Sequence, residues 1–126
     1  MCGLVGIIGQ PSNEMTNLFI DLLHMDVVRG LDSTGIASVD VNGEVFYLKD
    51  AVKPWTLASY KSFNKLVNPE RARPSKMCYI GHNRAATRGQ VNKDNAHPFS
   101  HGHILLAHNG TLTDYHNIVE RPPGRS

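Results

Sequence analysis

The chain opens with Met1-Cys2-Gly3-Leu4-Val5-Gly6-Ile7-Ile8-Gly9, a cysteine followed by glycines and a short apolar run. Removal of Met1 would make Cys2 the first residue, so a thiol and a free α-amine would belong to one residue. Because an α-amine has a pKa near ~8, it can serve as the base that a thiol nucleophile needs. The alternative interpretation is structural, a small buried residue that opens a strand. Residues 3–9 are predicted to form a buried strand.

Outward from this strand, the pattern predicts a helix and then a hairpin. Ser12 or Asn13 is expected to cap a helix in which apolar residues recur every three or four positions. Two strands, residues 36–41 and 44–49, are predicted to pair around Asn42-Gly43, because this dipeptide suits a tight turn. The segment between helix and hairpin is predicted to be a polar loop bounded by glycines.

The second half of the chain is predicted to continue with short elements. Pro54 is expected to open a helix that turns Trp55 inward. Further strands are predicted at residues 78–81 and 103–107. A last helix is predicted to begin at Thr111 and to run to Glu120. The fold is therefore predicted to mix helices with strands.

Length and composition describe an ordinary soluble domain. Of the 126 residues, 40% are hydrophobic and 19% are charged, so we assign residues 1–126 to one domain, with an irregular tail at 121–126. The net charge of +2 and the scattered basic residues do not indicate a nucleic-acid partner. No apolar run approaches the ~20 residues of a membrane span, so no membrane partner is expected. Cys2 and Cys78 form no disulfide framework, which favours a cytoplasmic location.

Five polar motifs follow one another along the chain. Cys2-Gly3 is followed by Arg29-Gly30-Leu31-Asp32-Ser33-Thr34-Gly35 and by Gly81-His82-Asn83-Arg84-Ala85-Ala86-Thr87-Arg88-Gly89. Asn95-Ala96-His97-Pro98 and His108-Asn109-Gly110 complete the series. Together they resemble the class II glutamine amidotransferases. These are the N-terminal-nucleophile glutaminase domains, such as those of glucosamine-6-phosphate synthase and glutamine phosphoribosylpyrophosphate amidotransferase.

The resemblance implies an α+β fold, the four-layer αββα sandwich of antiparallel sheets found in N-terminal-nucleophile hydrolases. The family places an acidic residue for the substrate α-ammonium well downstream of the Asn-Gly pair, and Asp114 is too close to Asn109 to match it. We therefore expect the N-terminal portion of the domain, truncated at its C-terminal side. Uncovered sheet edges would favour association, so an acceptor domain, a partner chain or a homo-oligomer is compatible with this sequence.

The resemblance also implies a reaction with glutamine as the substrate. The thiol of Cys2 would attack the side-chain amide, ammonia would leave, and water would release glutamate. Asn109 and the Gly110 backbone N–H match the donors that stabilise the oxyanion of the intermediate. The nucleophile, base and donors are all protein groups, so neither a cofactor nor a metal is expected.

Three further residues match substrate-binding positions of the family. Arg84 matches the arginine that holds the substrate α-carboxylate, for which a planar guanidinium is well suited. Thr87 matches a residue beside the substrate, and His97 matches a loop next to the site, where we interpret it first as scaffold. Glucosamine-6-phosphate synthases have tryptophan where this chain has Ala85, and histidine where it has Arg88. The sequence therefore leaves open which acceptor receives the ammonia.

Two other classes of function compete with the enzyme. A truncated relative, or one that keeps Met1, would be a non-catalytic module that binds glutamine or a partner, because the nitrogen of Cys2 would then be an amide. The histidines also allow a zinc site, since His-x-x-x-His and His-x-His spacings can bind this metal. The residues of that hypothesis are His97, His101, His103 and His108.

Overall fold

The structure is a computed structural model that describes residues 2–67, 76–86, 89–110, 113 and 117. The strands in this part of the chain are β1 (Gly3–Ile8), β2 (Ser33–Asp40), β3 (Val45–Asp50), β4 (Lys76–Arg84), β5 (Phe99–His101) and β6 (Ile104–Leu106). The helices are α1 (Asn13–Met25), α2 (Pro54–Leu57) and α3 (Lys61–Val67), with a 3₁₀ turn at Asp26–Val28.

The strands form two antiparallel sheets. The larger sheet has the order β1-β4-β2-β3, and β5 pairs with β6 in the smaller one. The predicted α+β class with antiparallel sheets is confirmed, whereas the four-layer sandwich stays a prediction. No helix in the described ranges combines the length and apolar character that crossing a membrane requires.

The first strand is an edge strand, which corrects the prediction that it is buried. Among the strands that the structure describes, β1 pairs with β4 alone, and its side chains alternate between partly buried and exposed positions. Leu4 is 47% exposed and Ile8 is 72% exposed. Because an edge strand has one neighbour, its apolar run does not ensure burial on both faces. Gly3 is buried beneath the Asp26 carboxyl group, which fills the space that a side chain would need.

The core lies between α1 and one face of the main sheet. Phe19 stacks on Tyr79 with ring centroids 4.9 Å apart. Gly81 allows this approach, because a Cβ there would lie 2.7 Å from Leu23. The buried apolar residues of this cluster are Met15, Phe19, Leu23, Ile36, Leu57, Phe63, Leu66, Val67 and Tyr79.

Local signals correctly predicted the cap and the hairpin. The Ser12 hydroxyl accepts a hydrogen bond from the Met15 backbone N–H over 3.0 Å, so α1 is capped as expected. The Asn42-Gly43 turn joins β2 to β3, and Gly43 has a φ of 81° that glycine adopts without strain.

Other boundaries differ from the prediction. The helix predicted from Pro54 is two short helices, α2 and α3. Trp55 is 50% exposed rather than buried, because Pro54 and Leu57 face the core and turn it outward. The predicted polar loop ends at residue 32, since residues 33–35 begin β2. The predicted helix at 111–120 and tail at 121–126 lie largely or wholly outside the described residues.

Candidate active site

β4 carries polar side chains to both faces of the main sheet. Successive residues of a strand point to opposite faces, so His82 and Arg84 share one face while Asn83 lies on the other. Asn83 faces α1, where its side-chain amide donates to the Leu23 carbonyl over 2.8 Å. The three residues are almost completely buried, with 6% exposure at most. The strand therefore continues through Arg84, which corrects the prediction that it ends at Gly81.

The thiol of Cys2 lies against the backbone that follows β4. Gly3 pairs with Asn83 at the end of the β1–β4 ladder, which brings Cys2 beside Ala85. The Ala85 N–H donates to the Cys2 Sγ over 3.3 Å, and the Ala85 carbonyl lies 3.5 Å from the same sulfur. The carbonyl can accept a hydrogen bond from the thiol S–H, and the Ala85 N–H can donate to the sulfur whether or not the thiol is protonated. The thiol is thus held by main-chain atoms in either state.

Asn109 joins Cys2 to the sheet. Its side-chain nitrogen donates to the Cys2 carbonyl over 2.9 Å, and its Oδ1 lies 3.0 Å from the His82 Nε2. Gly110 follows with a φ of 149°, and a Cβ there would lie 2.9 Å from the His108 ring. Glycine is needed at this position because an L side chain would be strained and would meet that ring. Asn109 and Gly110 therefore stand next to the thiol-bearing residue.

A stacked histidine pair, His82 and His97, lies behind Asn109. The ring centroids are 4.0 Å apart and the planes differ by 9°. His97 Nδ1 accepts a hydrogen bond from the His108 backbone N–H over 3.1 Å. The His97 carbonyl lies directly over Gly35, in the space that a Cβ would fill. The loop that carries His97 thus packs closely on β2 and contacts the segment around Asn109.

The histidine pair lies close to cationic side chains. Burial lowers the pKa of His82, against the hydrogen bond to Asn109. Burial, together with the positive charges of His82, Arg84, His108 and Lys49, lowers the pKa of His97 to about 4. Both rings are therefore uncharged at neutral pH. The cationic neighbours that disfavour a proton here would attract a carboxylate.

The pKa of His97 predicts that the fold loses stability in acid. The unfolded pKa is near ~6.5 and the folded pKa is lower, so the unfolded chain binds a proton that the folded chain does not. The contribution of His97 to the free energy of unfolding is therefore complete above pH ~6.5 and is lost as the pH falls through the folded pKa. The expected slope from this ring is up to ~1.4 kcal/mol per pH unit. Urea unfolding of the wild type and His97→Gln at several pH values measures it.

The matched control for this experiment is His101→Gln, because His101 is exposed on β5. We expect His97→Gln to flatten the dependence of unfolding free energy on pH and His101→Gln to leave it unchanged. Equal slopes for all three proteins would contradict the assignment of the acid sensitivity to His97.

The segment after β4 is held by a loop that precedes β2. Asp32 donates its backbone N–H to the Arg84 carbonyl over 2.9 Å and accepts the Ala86 N–H at Oδ2 over 2.7 Å. Gly30 lies so close to this backbone that a Cβ would lie 2.5 Å from the Ala85 nitrogen. The Arg84 guanidinium donates to the Gln90 carbonyl over 2.8 Å. These contacts fix the backbone that holds the thiol.

The structure brings together most of the residues that the sequence singled out. Cys2 contacts Asn109 and the residue after Arg84, and Gly110 follows Asn109. His97 contacts the site through neighbouring residues rather than through Cys2. Thr87 lies outside the described residues. The catalytic and substrate-binding roles of this set stay predictions.

His82 lies in one of the five polar motifs, but the sequence did not predict a role for this residue. The available signal was its position two residues before Arg84, which places both on one face of a strand. For the zinc hypothesis, the described ranges contain no group of three or more His, Cys, Asp or Glu residues that could hold a metal ion. The histidines that contact each other do so by stacking and by hydrogen bonds.

Comparisons with known proteins show which sequences this chain is similar to. The family model described as "Glutamine amidotransferases class-II" matches residues 1–125. Three similar proteins are each named glutamine--fructose-6-phosphate aminotransferase [isomerizing]. The chain is 36% identical over 121 residues to that of Corynebacterium glutamicum, 34% over 119 residues to that of Mesorhizobium japonicum, and 31% over 125 residues to that of Escherichia coli. These alignments cover 91%, 91% and 99% of this chain but 18%, 17% and 19% of the relatives. The chain thus spans less than a fifth of their length.

Proposed function

This chain belongs to the class II glutamine amidotransferases, and on that premise we propose that it hydrolyses the side-chain amide of glutamine to glutamate and ammonia. The observation that carries the proposal is the placement of Cys2, whose sulfur meets the Ala85 N–H and whose carbonyl meets the Asn109 amide. A nucleophile and a polarised donor group are therefore neighbours, as acyl transfer requires.

The proposed attack begins at the Cys2 sulfur. After removal of Met1, the α-amine of Cys2 accepts the thiol proton, and the sulfur forms a bond to the amide carbon of glutamine. The proton then passes to the leaving nitrogen, and ammonia departs as the C–N bond breaks. Water attacks the thioester, which gives glutamate and returns the proton to the thiol. The Ala85 N–H supports the sulfur while it carries negative charge.

The proposed oxyanion donors are the Asn109 amide and the Gly110 backbone N–H. An amide NH₂ group has two N–H bonds. One donates to the Cys2 carbonyl, so we assign the second to the oxyanion that forms on the substrate. Because the amide is already oriented by Cys2, little reorganisation is needed when charge develops.

The charge around the site supports binding of an amino-acid carboxylate. The cationic side chains of Arg84 and Lys49 lie close enough to His97 to disfavour its protonation, so the field around that ring is positive. We assign the α-carboxylate of glutamine to the Arg84 guanidinium, because a planar fork matches two carboxylate oxygens. Thr87 is proposed to lie beside the same substrate, as the family motif implies. In this scheme His97 is part of the scaffold.

For the protein as a whole, we propose the glutamine half of an amidotransferase reaction. The relatives are named as aminotransferases of glutamine and fructose 6-phosphate, and we propose a sugar phosphate as the acceptor that receives ammonia from this site. A further domain or a partner chain would hold that acceptor. We also propose that the two described sheets belong to the four-layer sandwich of N-terminal-nucleophile hydrolases.

The decisive experiment couples an activity measurement to the mass of the intact protein. Glutamate and ammonia are measured during incubation with glutamine, and mass spectrometry reads whether Met1 is present. We expect turnover only in material that lacks Met1, because an acylated nitrogen on Cys2 cannot accept the thiol proton. Asparagine, which is one methylene shorter, provides the control substrate and is expected to react far more slowly.

Two outcomes would overturn parts of this proposal. Full turnover by protein that retains Met1 would exclude the α-amine as the base. No turnover by protein that lacks Met1, together with binding of glutamine in calorimetry, would replace the enzyme with a glutamine-binding module.

A further inference from the structure

We propose that His82 is a positioning residue, which holds the Asn109 side chain in the orientation that catalysis needs, an inference that rests on the proposed function. His82 Nε2 lies 3.0 Å from Asn109 Oδ1, and Asn109 in turn donates to the Cys2 carbonyl. The contact connects the buried face of β4 to the exposed residue that carries the oxyanion donor. Without it, the remaining hydrogen bond of the Asn109 side chain within the described ranges would be the one to Cys2.

The direction of each hydrogen bond follows from the Cys2 carbonyl. A carbonyl oxygen can only accept, so the Asn109 NH₂ group must face it and the amide oxygen must face His82. The His82 Nε2 must therefore carry a proton and donate it. In the neutral ring the remaining nitrogen, Nδ1, then carries no proton. It is buried and has no hydrogen-bond partner among the described residues. One tautomer of His82 thus fixes one rotamer of Asn109.

His97, the second ring of the stacked pair, also holds the segment that carries Asn109. His97 stacks on His82 and accepts the His108 backbone N–H at Nδ1. The stacked pair therefore holds two consecutive residues, one by the main chain and the next by the side chain. The segment is otherwise exposed at His108, Asn109 and Gly110, so these contacts restrict a part of the chain that solvent surrounds.

His82 does not act on the thiol in this geometry. Its Nε2 is committed to Asn109, and the atoms within hydrogen-bond distance of the Cys2 sulfur belong to Ala85. The structure therefore distinguishes a residue that orients a donor from a general base. Loss of His82 should affect the rate only through Asn109.

A double-mutant cycle tests this coupling. His82→Phe keeps a ring that can stack on His97 but cannot donate, whereas His82→Gln keeps an N–H donor. We expect His82→Phe to lower kcat for glutamine hydrolysis about a hundredfold with little change in KM, since a misplaced donor weakens transition-state stabilisation. His82→Gln should recover much of that loss. In an Asn109→Ala background, His82→Phe should cause almost no further loss.

The control variant is His101→Phe, which replaces an exposed histidine of β5. It is expected to leave kcat and KM unchanged. If His82→Phe lowers kcat by the same factor with and without Asn109, the two residues act independently and the proposal is wrong.

A second measurement does not depend on activity. Nitrogen-15 NMR of the wild type at neutral pH should show His82 as the neutral tautomer that is protonated at Nε2. Asn109→Ala should shift the His82 Nε2–H resonance and leave the resonances of His101 in place. A His82 protonated at Nδ1, or one insensitive to Asn109→Ala, would overturn the proposal even if His82 variants fail to fold.

The two measurements separate this inference from the proposed function. If the wild type releases no glutamate but shows the expected tautomer and its dependence on Asn109, the proposed function fails and the positioning contact stands. If turnover occurs but His82 is protonated at Nδ1, the proposed function stands and the positioning contact fails.

Discussion

Replacement of Cys2 by alanine is expected to reduce glutamate release to the background of the assay. The sulfur is the atom that forms the covalent bond in the proposed reaction, and the other free cysteine, Cys78, lies at the far end of the β1–β4 ladder. Removal of a catalytic nucleophile elsewhere lowers kcat by on the order of 10⁵- to 10⁶-fold, since the residual rate comes from the remaining binding groups. Release of glutamate from saturating glutamine, followed over hours, measures the effect.

The matched control is Cys78→Ala, because Cys78 is the other free cysteine. It lies in β4, pairs with Ile8 at the far end of the ladder, and has a pKa that burial raises. Burial and a raised pKa both oppose its use as a thiolate. We expect Cys78→Ala to keep the rate within about twofold of the wild type. Equal rates for the wild type and Cys2→Ala would rule out Cys2 as the nucleophile.

Gly35→Ala is expected to cause the largest combined loss of stability and activity among the substitutions of glycine by alanine. A Cβ at Gly35 would overlap with the His97 carbonyl oxygen. β2 lies between β3 and β4 and cannot move aside, so the loop that carries His97 must lift away. We expect a destabilisation of roughly 3 kcal/mol, as for severe overpacking. Urea unfolding measures this loss.

The same substitution should lower activity because His97 supports His82 and the segment around Asn109. A displacement of about 1 Å at a reacting group can cost about a hundredfold in rate. Gly6→Ala is the matched control, since a Cβ at Gly6 in β1 would have its nearest neighbours at 3.8 Å. We expect Gly6→Ala to fold and to retain activity. A Gly35→Ala protein as stable and as active as the Gly6→Ala protein would contradict the close packing of the His97 loop on β2.

Features that depend on neighbouring residues in the chain were predictable from the sequence. The Ser12 cap needs only a hydroxyl three residues before the Met15 N–H that it accepts from. The Asn42-Gly43 turn needs a glycine at positive φ between two alternating strands. Each signal is complete within a few residues, so no tertiary contact is required to interpret it.

Features that depend on distant partners were not predictable in the same way. β4 continues through His82, Asn83 and Arg84 because each polar side chain finds a partner in another segment. Those partners, the Leu23 carbonyl among them, are not visible in the sequence around β4. A run of polar residues such as these predicts the end of a strand. Here the three side chains are instead buried within the strand, because each has a hydrogen-bond partner.

The candidate site also contains features that were predictable from the sequence and features that were not. The family motifs predicted that Cys2, Asn109 and Gly110 belong together, and the structure places Asn109 against Cys2. The histidine pair was not predicted, because His82 and His97 come from segments whose contact depends on Gly35 in a third segment. Stacking of this kind leaves no regular spacing in the sequence.

The contact between Cys2 and Ala85 has an evolutionary consequence. Among the described residues, the hydrogen bonds of the sulfur are made with the N–H and the carbonyl of residue 85, and these main-chain groups are the same whatever side chain the residue carries. The side chain at position 85 can therefore change, for example from alanine to tryptophan, while the hydrogen bonds that hold the Cys2 sulfur are kept. Such a backbone anchor allows the surface beside the thiol to vary during evolution without moving the thiol.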